Sequence, residues 1–82
     1  MTPNFNSGPA LHAWAVTPND SAALPNGPAR ALFIGTGGVV VLDTVGGETQ
    51  VSFTVPSGFL LPMQVNKVWN TNTTASNMVA LA

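Results

Sequence analysis

The stretch from Ile34 to Phe53, "IGTGGVVVLDTVGGETQVSF", constrains this chain more than any other. Its valines and threonines are stiff at χ1 and fit a pleated surface better than a helix, and glycine weakens a helix further. Extended segments and turns are what such a sequence can form. From residue 30 onward apolar positions never recur at helical spacing over three turns, whereas short β-branched runs bounded by Gly, Pro, Asn and Thr appear repeatedly. The expected fold is all-β, a small antiparallel β-sandwich or barrel with an extended N-terminal arm. Residues 1–11 form that arm, because Pro3, Asn4, Asn6, Ser7, Gly8 and Pro9 suit neither a helix nor a packed strand. Residues 12–82 form a single β domain, with strands expected at 12–17, 29–35, 38–45, 48–55, 62–69 and 77–81.

The glycines themselves admit two meanings. A dinucleotide fingerprint beginning at Gly35 needs a third glycine at position 40, where Val40 stands, and a helix where valines follow. A phosphate loop of the Walker kind needs Lys-Ser or Lys-Thr, which is absent. Turns remain. A two-residue turn at Gly46-Gly47 sets Val45 opposite Glu48, Leu42 opposite Val51 and Val40 opposite Phe53, with Asp43–Gln50, Val41–Ser52 and Val39–Thr54 on the other side. A second turn at Thr36-Gly37 sets Phe33 opposite Val40 and Ala31 opposite Leu42. It also sets Leu32 opposite Val41, Ile34 opposite Val39, and Arg30 opposite Asp43. The three-stranded meander that results is apolar on both faces, so its second face needs a cover: the rest of the chain, or a neighbouring subunit.

Charge decides how pressing that need is. Only 6% of the 82 residues are charged while 45% are hydrophobic, against roughly 25–35% charge on the surface of designed soluble monomers. A chain this short buries only about 60% of the surface its unfolded form exposes. With no cysteine there is no disulfide, and one histidine with three scattered carboxylates offers no zinc spacing. Assembly with other copies is therefore the expected stabiliser. Two cations cannot neutralise a run of phosphates, so no nucleic acid is expected as a partner. No apolar run, such as Val39 to Leu42, approaches the length of a membrane span, and "MTPNFNSGP" has the pattern of no signal peptide.

Catalysis is not expected either. His12, Asp20 and one of Ser7, Ser21 or Ser57 could be drawn as a triad, but no elbow motif surrounds any of these serines. Asp20, after Thr17-Pro18-Asn19, reads as a turn residue bonding nearby backbone N–H groups. Asp43 and Glu48 flank a tight turn and form no glycosidase pair. No cofactor and no metal is implied. The residues expected to meet another subunit or a larger assembly are Phe5 on the arm, His12, Trp14, Leu32, Ile34, Val39, Val41, Phe59, Leu60 and Trp69. Core is the ordinary place for Trp69, while Phe59 and Leu60 stand in a loop between Pro56 and Pro62 that is too apolar to leave in water.

Four blocks, "HAWAVTPNDSAALP", "RALFIGTGGVVV", "VSFTVPSGFLLPMQVNKV" and "TNTTASNMVALA", come in that order. They resemble the spike base protein family of gene transfer agents and tailed phages, most specifically at Ala15-Val16-Thr17-Pro18, Arg30-Ala31-Leu32, Gly35-Thr36-Gly37-Gly38 and Leu61-Pro62. The resemblance covers most of the chain from residue 12. It implies a non-enzymatic capsid decoration or cement protein, or a head spike base. Such a protein is made in the bacterial host cytoplasm and carried on the outer surface of the head. The partners it implies are copies of itself as a trimer or pentamer, the major capsid protein and, for a spike base, a fibre. Val39 after the glycines, and Gln64 with Asn66 where basic residues are frequent, depart from the family pattern and favour decoration through broad neutral contacts. The competing expectation is a module that recognises host glycans, with Trp14 or Phe59 as the stacking platform.

Overall fold

The computed structural model describes residues 10–82, and the expected arm, with Phe5, falls almost wholly outside them. The described residues form seven strands and no helix: β1 (Ala13–Ala15), β2 (Ala31–Thr36), β3 (Gly38–Thr44), β4 (Val51–Val55), β5 (Phe59–Leu61), β6 (Val65–Val68) and β7 (Ser76–Leu81). They make two antiparallel sheets, ordered β1-β7-β2-β5 and β4-β3-β6. One core cluster joins Leu32, Ile34, Leu61, Met78 and Ala80 of the first sheet to Val40, Leu42, Val55, Val65 and Val68 of the second. The architecture is thus a β-sandwich rather than a barrel. Leu32, Ile34, Val40, Leu42 and Val65 are fully enclosed. Each such side chain contributes about 1.5–3 kcal/mol relative to exposure.

The β3–β4 ladder has the register that the second glycine pair suggests, with Val39↔Thr54, Val40↔Phe53, Val41↔Ser52 and Leu42↔Val51. The turn is wider than two residues. Gly47 N–H donates to Thr44 C=O, Thr44 N–H donates to Glu48 C=O, and Gln50 adopts a positive φ of 52° before β4 begins at Val51. Val45 and Glu48 therefore do not face one another as a strand pair.

The first glycine cluster makes no hairpin. β2 pairs with β5 and β7 in one sheet, whereas β3 pairs with β4 and β6 in the other. Thr36 to Gly38 is the place where the chain changes sheets. A Cβ on Gly37 would lie 2.5 Å from Ser57 N and 2.6 Å from Val55 O, and one on Gly38 would lie 2.7 Å from Thr74 Oγ1. The β4–β5 and β6–β7 connections, which also change sheets, thus cross the backbone here at a distance only glycine allows. Nothing about this corner resembles a phosphate cradle: Gly37 N–H donates to Ser57 Oγ at 2.8 Å, and Val39 N–H to Thr74 Oγ1 at 2.8 Å.

That crossover reverses the assignment of faces on β2. Leu32 and Ile34, expected on a side awaiting a partner, point into the sandwich and are 0% exposed, while Phe33 points outward. The proposed pairs Phe33–Val40, Ala31–Leu42, Leu32–Val41, Ile34–Val39 and Arg30–Asp43 do not form, because their strands belong to different sheets. The expected loop after Pro56 contains β5, turned back onto β2 by Gly58 at φ 73°. Residues 19–29 close the free edge of β6, with Asn19 N–H on Val68 C=O, Leu24 N–H on Asn66 C=O and an Ala29–Val65 bridge.

Candidate interaction surface

Side chains alternate across each strand, so the inward face of a sheet dictates what its outward face carries. In the β1-β7-β2-β5 sheet the outward positions fall in two cross-strand rows. One is Ala13, Leu81 and Ala31; the other is Ala15, Val79, Phe33 and Leu60. All seven are apolar. Phe33 is 38% exposed and Leu60 49% exposed, and Leu81, Val79 and Ala31 are half-buried by their neighbours. Beyond the second row Gly35 and Asn77 nearly touch: a Cβ on Gly35 would meet Asn77 O at 2.7 Å. Asn77, at φ 55°, donates its amide to Thr36 Oγ1 at 2.9 Å and ends the apolar area with a satisfied polar group.

The outward face of the β4-β3-β6 sheet is built differently. It carries Ser52 and Thr54 of β4, Val39, Val41 and Asp43 of β3, and Lys67 of β6, with Trp69 directly after that strand. Asp43 Oδ1 accepts the indole N–H of Trp69 at 2.7 Å and the backbone N–H of Gln50 at 2.9 Å. Lys67 Nζ stands 3.9 Å from the centre of the Trp69 ring and donates to the backbone carbonyl of Asp20. Val41 is only 4% exposed although it lies outside the core cluster. Past β6 the chain keeps bonding β3: Trp69 N–H donates to Val41 C=O and Thr74 N–H to Val39 C=O. The threonine hydroxyls of residues 73 and 74 receive the N–H groups of Val41 and Val39.

The carboxylates are engaged in holding this side together. Asp20 does not cap its own turn, a task taken by Asn19 Oδ1, which accepts Ser21 N–H. It reaches instead to the loop after β6, accepting Asn70 N–H at 2.7 Å, Thr71 N–H at 2.9 Å and the Thr71 hydroxyl. The Thr71 hydroxyl bond, more than any other cause, holds the Asp20 carboxyl below its ordinary range. Glu48 is lowered in the same way by the Thr44 hydroxyl. Among the described residues no three His, Asp or Glu side chains gather where they could hold a metal ion.

The expected contact residues separate accordingly. Leu60 lies in the apolar outer face; Phe59, 37% exposed, neighbours it on β5. His12 is exposed at the start of β1, exchanging backbone bonds with Ala82. Trp14 packs partly against the core from β1, its Nε1 buried without an acceptor. Trp69 is not core: it and Val41 sit on the other sheet's outer side. Val39 is half-buried there. Leu32 and Ile34 are interior, and Phe5 lies outside the described residues. Of the seven members of the apolar face, sequence reasoning singled out only Leu60; the large ones it missed are Phe33, Val79 and Leu81. Alternation marks them as one side of their strands, but "ALFI" and "MVAL" are apolar on both sides.

The sandwich thus has one polar, internally bonded outer face and one apolar outer face. Compared with solved structures, the chain is similar to a chain in the capsid of a native GTA (gene transfer agent) particle computed with C5 symmetry. The two share 34% identity with a TM-score of 0.83, over 99% of this chain and 100% of that one. The chain belongs to the family of that gene transfer agent capsid component. No protein-family model and no curated protein matches it.

Proposed function

We propose that the protein is a non-enzymatic virion structural protein, a decoration or cement protein of the head or a head spike base. In this reading it works in several copies on the outer surface of the capsid, attached to the major capsid protein. The full-length likeness to a gene transfer agent capsid chain carries this reading. The bare apolar face supports it, since an uncharged surface of this kind calls for a protein neighbour. Of the two finer roles, decoration fits better with the neutral character of the whole exterior. Of the two platforms that the glycan-recognition reading names, Trp14 packs partly against the core, while Phe59 stands 37% exposed on β5 and is the one to which that reading reduces.

The test is compositional. Particles purified through a density gradient from the producing cells, analysed by quantitative mass spectrometry, are expected to contain the chain at a fixed ratio to the major capsid protein. Particles that lack it while cell lysates contain it contradict the proposal.

A further inference from the structure

Resting on that reading, we infer that the chain lies on the capsid shell through the outer face of its β1-β7-β2-β5 sheet, against an uncharged apolar patch of the capsid protein. The β4-β3-β6 sheet then faces the solvent.

Three observations carry the inference. First, the charge of the molecule is segregated. Asp43 and Lys67 lie on the outward side of the β4-β3-β6 sheet, Glu48 in its β3–β4 connection, and Asp20 is bonded to the loop that follows β6. Among the described residues the ionic side chain at the other sheet is that of Arg30, half-buried ahead of β2. The two apolar rows contain no charged and no polar side chain. A partner presenting an ionic group there would strip it of water with nothing to pair it, which costs several kcal/mol.

Second, the two rows by themselves are too small to hold a free pair of copies together. Strand spacing of about 4.8 Å and a repeat of about 6.6 Å along each strand give two rows an area of roughly 200 Å². A stable pair of partners buries about 800 Å² on each side. The face therefore suits a surface already assembled, on which each chain is held by further contacts as well. A shell of capsid subunits is such a surface.

Third, the opposite sheet is finished for water. The Thr73 and Thr74 hydroxyls, the Asp43 carboxylate and the Trp69 indole N–H are bonded within the chain, and Ser52 and Thr54 stand exposed at its edge. Burying this side would displace hydration from Lys67 and Asp43 without supplying new partners.

Because the chain has no cysteine, single-cysteine variants report each face separately. Ala15→Cys and Leu60→Cys mark the apolar face, and Ser52→Cys and Thr54→Cys the polar one. Each variant is labelled with a maleimide as the free protein and in particles that carry it. The expected result is that all four label in the free protein, while in particles Ala15→Cys and Leu60→Cys slow by about tenfold or more, as protection by burial requires. Ser52→Cys and Thr54→Cys are expected to keep their free rates. Equal rates on both faces in particles, or protection of the polar face, overturn the inference. So does protection of Ala15→Cys already in the free protein, which assigns the face to copies of the chain. Absence of the unmodified chain from particles overturns the proposed function itself. Ala15→Cys keeps the test decisive if Leu60→Cys fails to fold.

Discussion

The outer faces of the two sheets have the same backbone architecture and opposite chemistry. On the β4-β3-β6 side, scarce ionic groups are concentrated and bonded: Asp43 to Trp69 and Gln50, Lys67 to the Asp20 carbonyl, Asp20 to the loop after β6. On the β1-β7-β2-β5 side seven apolar residues stand in two rows with no ionic group among them. The difference shows that the low charge is not spread evenly; in the proposed reading one side of the sandwich is completed by the chain itself and the other by a neighbour.

The largest expected effect removes the frame on which both faces depend. Gly37→Ala places a methyl group 2.5–2.6 Å from the backbone of residues 55–57. Strain of that kind costs about 3 kcal/mol, a large share of the stability of an 82-residue chain, and urea denaturation followed by circular dichroism reads it.

Next comes the polar side. Thr73→Val leaves the part-buried Val41 N–H without its acceptor, an expected loss of about 1–3 kcal/mol in the same assay. Trp69→Phe removes the N–H bond to Asp43 and is expected to cost about 1 kcal/mol. Equal stability of these variants and the parent chain breaks the claim that this face is held by its own bonds.

The smallest effect is electrostatic. The bonds to Asp20 and Glu48 favour their ionised forms, so the folded-state values lie below the unfolded ones. The stability they contribute is present above the ordinary carboxylate range of about 4 and is lost as pH falls below it, through the folded-state values. Asp20→Asn is expected to flatten that acid-side decline, as measured by thermal unfolding between pH 3 and pH 6, a range chosen to bracket values of about 4. An unchanged slope contradicts the assignment.

Much of this was legible in the residues. The all-β class followed from valine runs broken by glycine, and the β3–β4 register followed from Gly46-Gly47, even though the turn itself is wider. The first glycine cluster misled because a tight turn and a change of sheet ask for the same residue. What separates them is contact with residues 55–57 and 74, which lie far along the chain. The inversion of β2 has the same root: with Leu32, Phe33 and Ile34 all apolar, period-2 alternation shows that two faces exist but not which one is inside. β5 escaped notice because three residues between two prolines show no alternation, and it exists only because β2 offers an edge.

The most direct measurement sets the two faces against each other. Leu60→Asp and Thr54→Asp each place one carboxylate at an exposed position, and the particle-bound fraction of each folded variant is compared with that of the parent chain. The account predicts that Leu60→Asp is largely lost from particles while Thr54→Asp is retained. Retention of Leu60→Asp, or loss of Thr54→Asp, contradicts it.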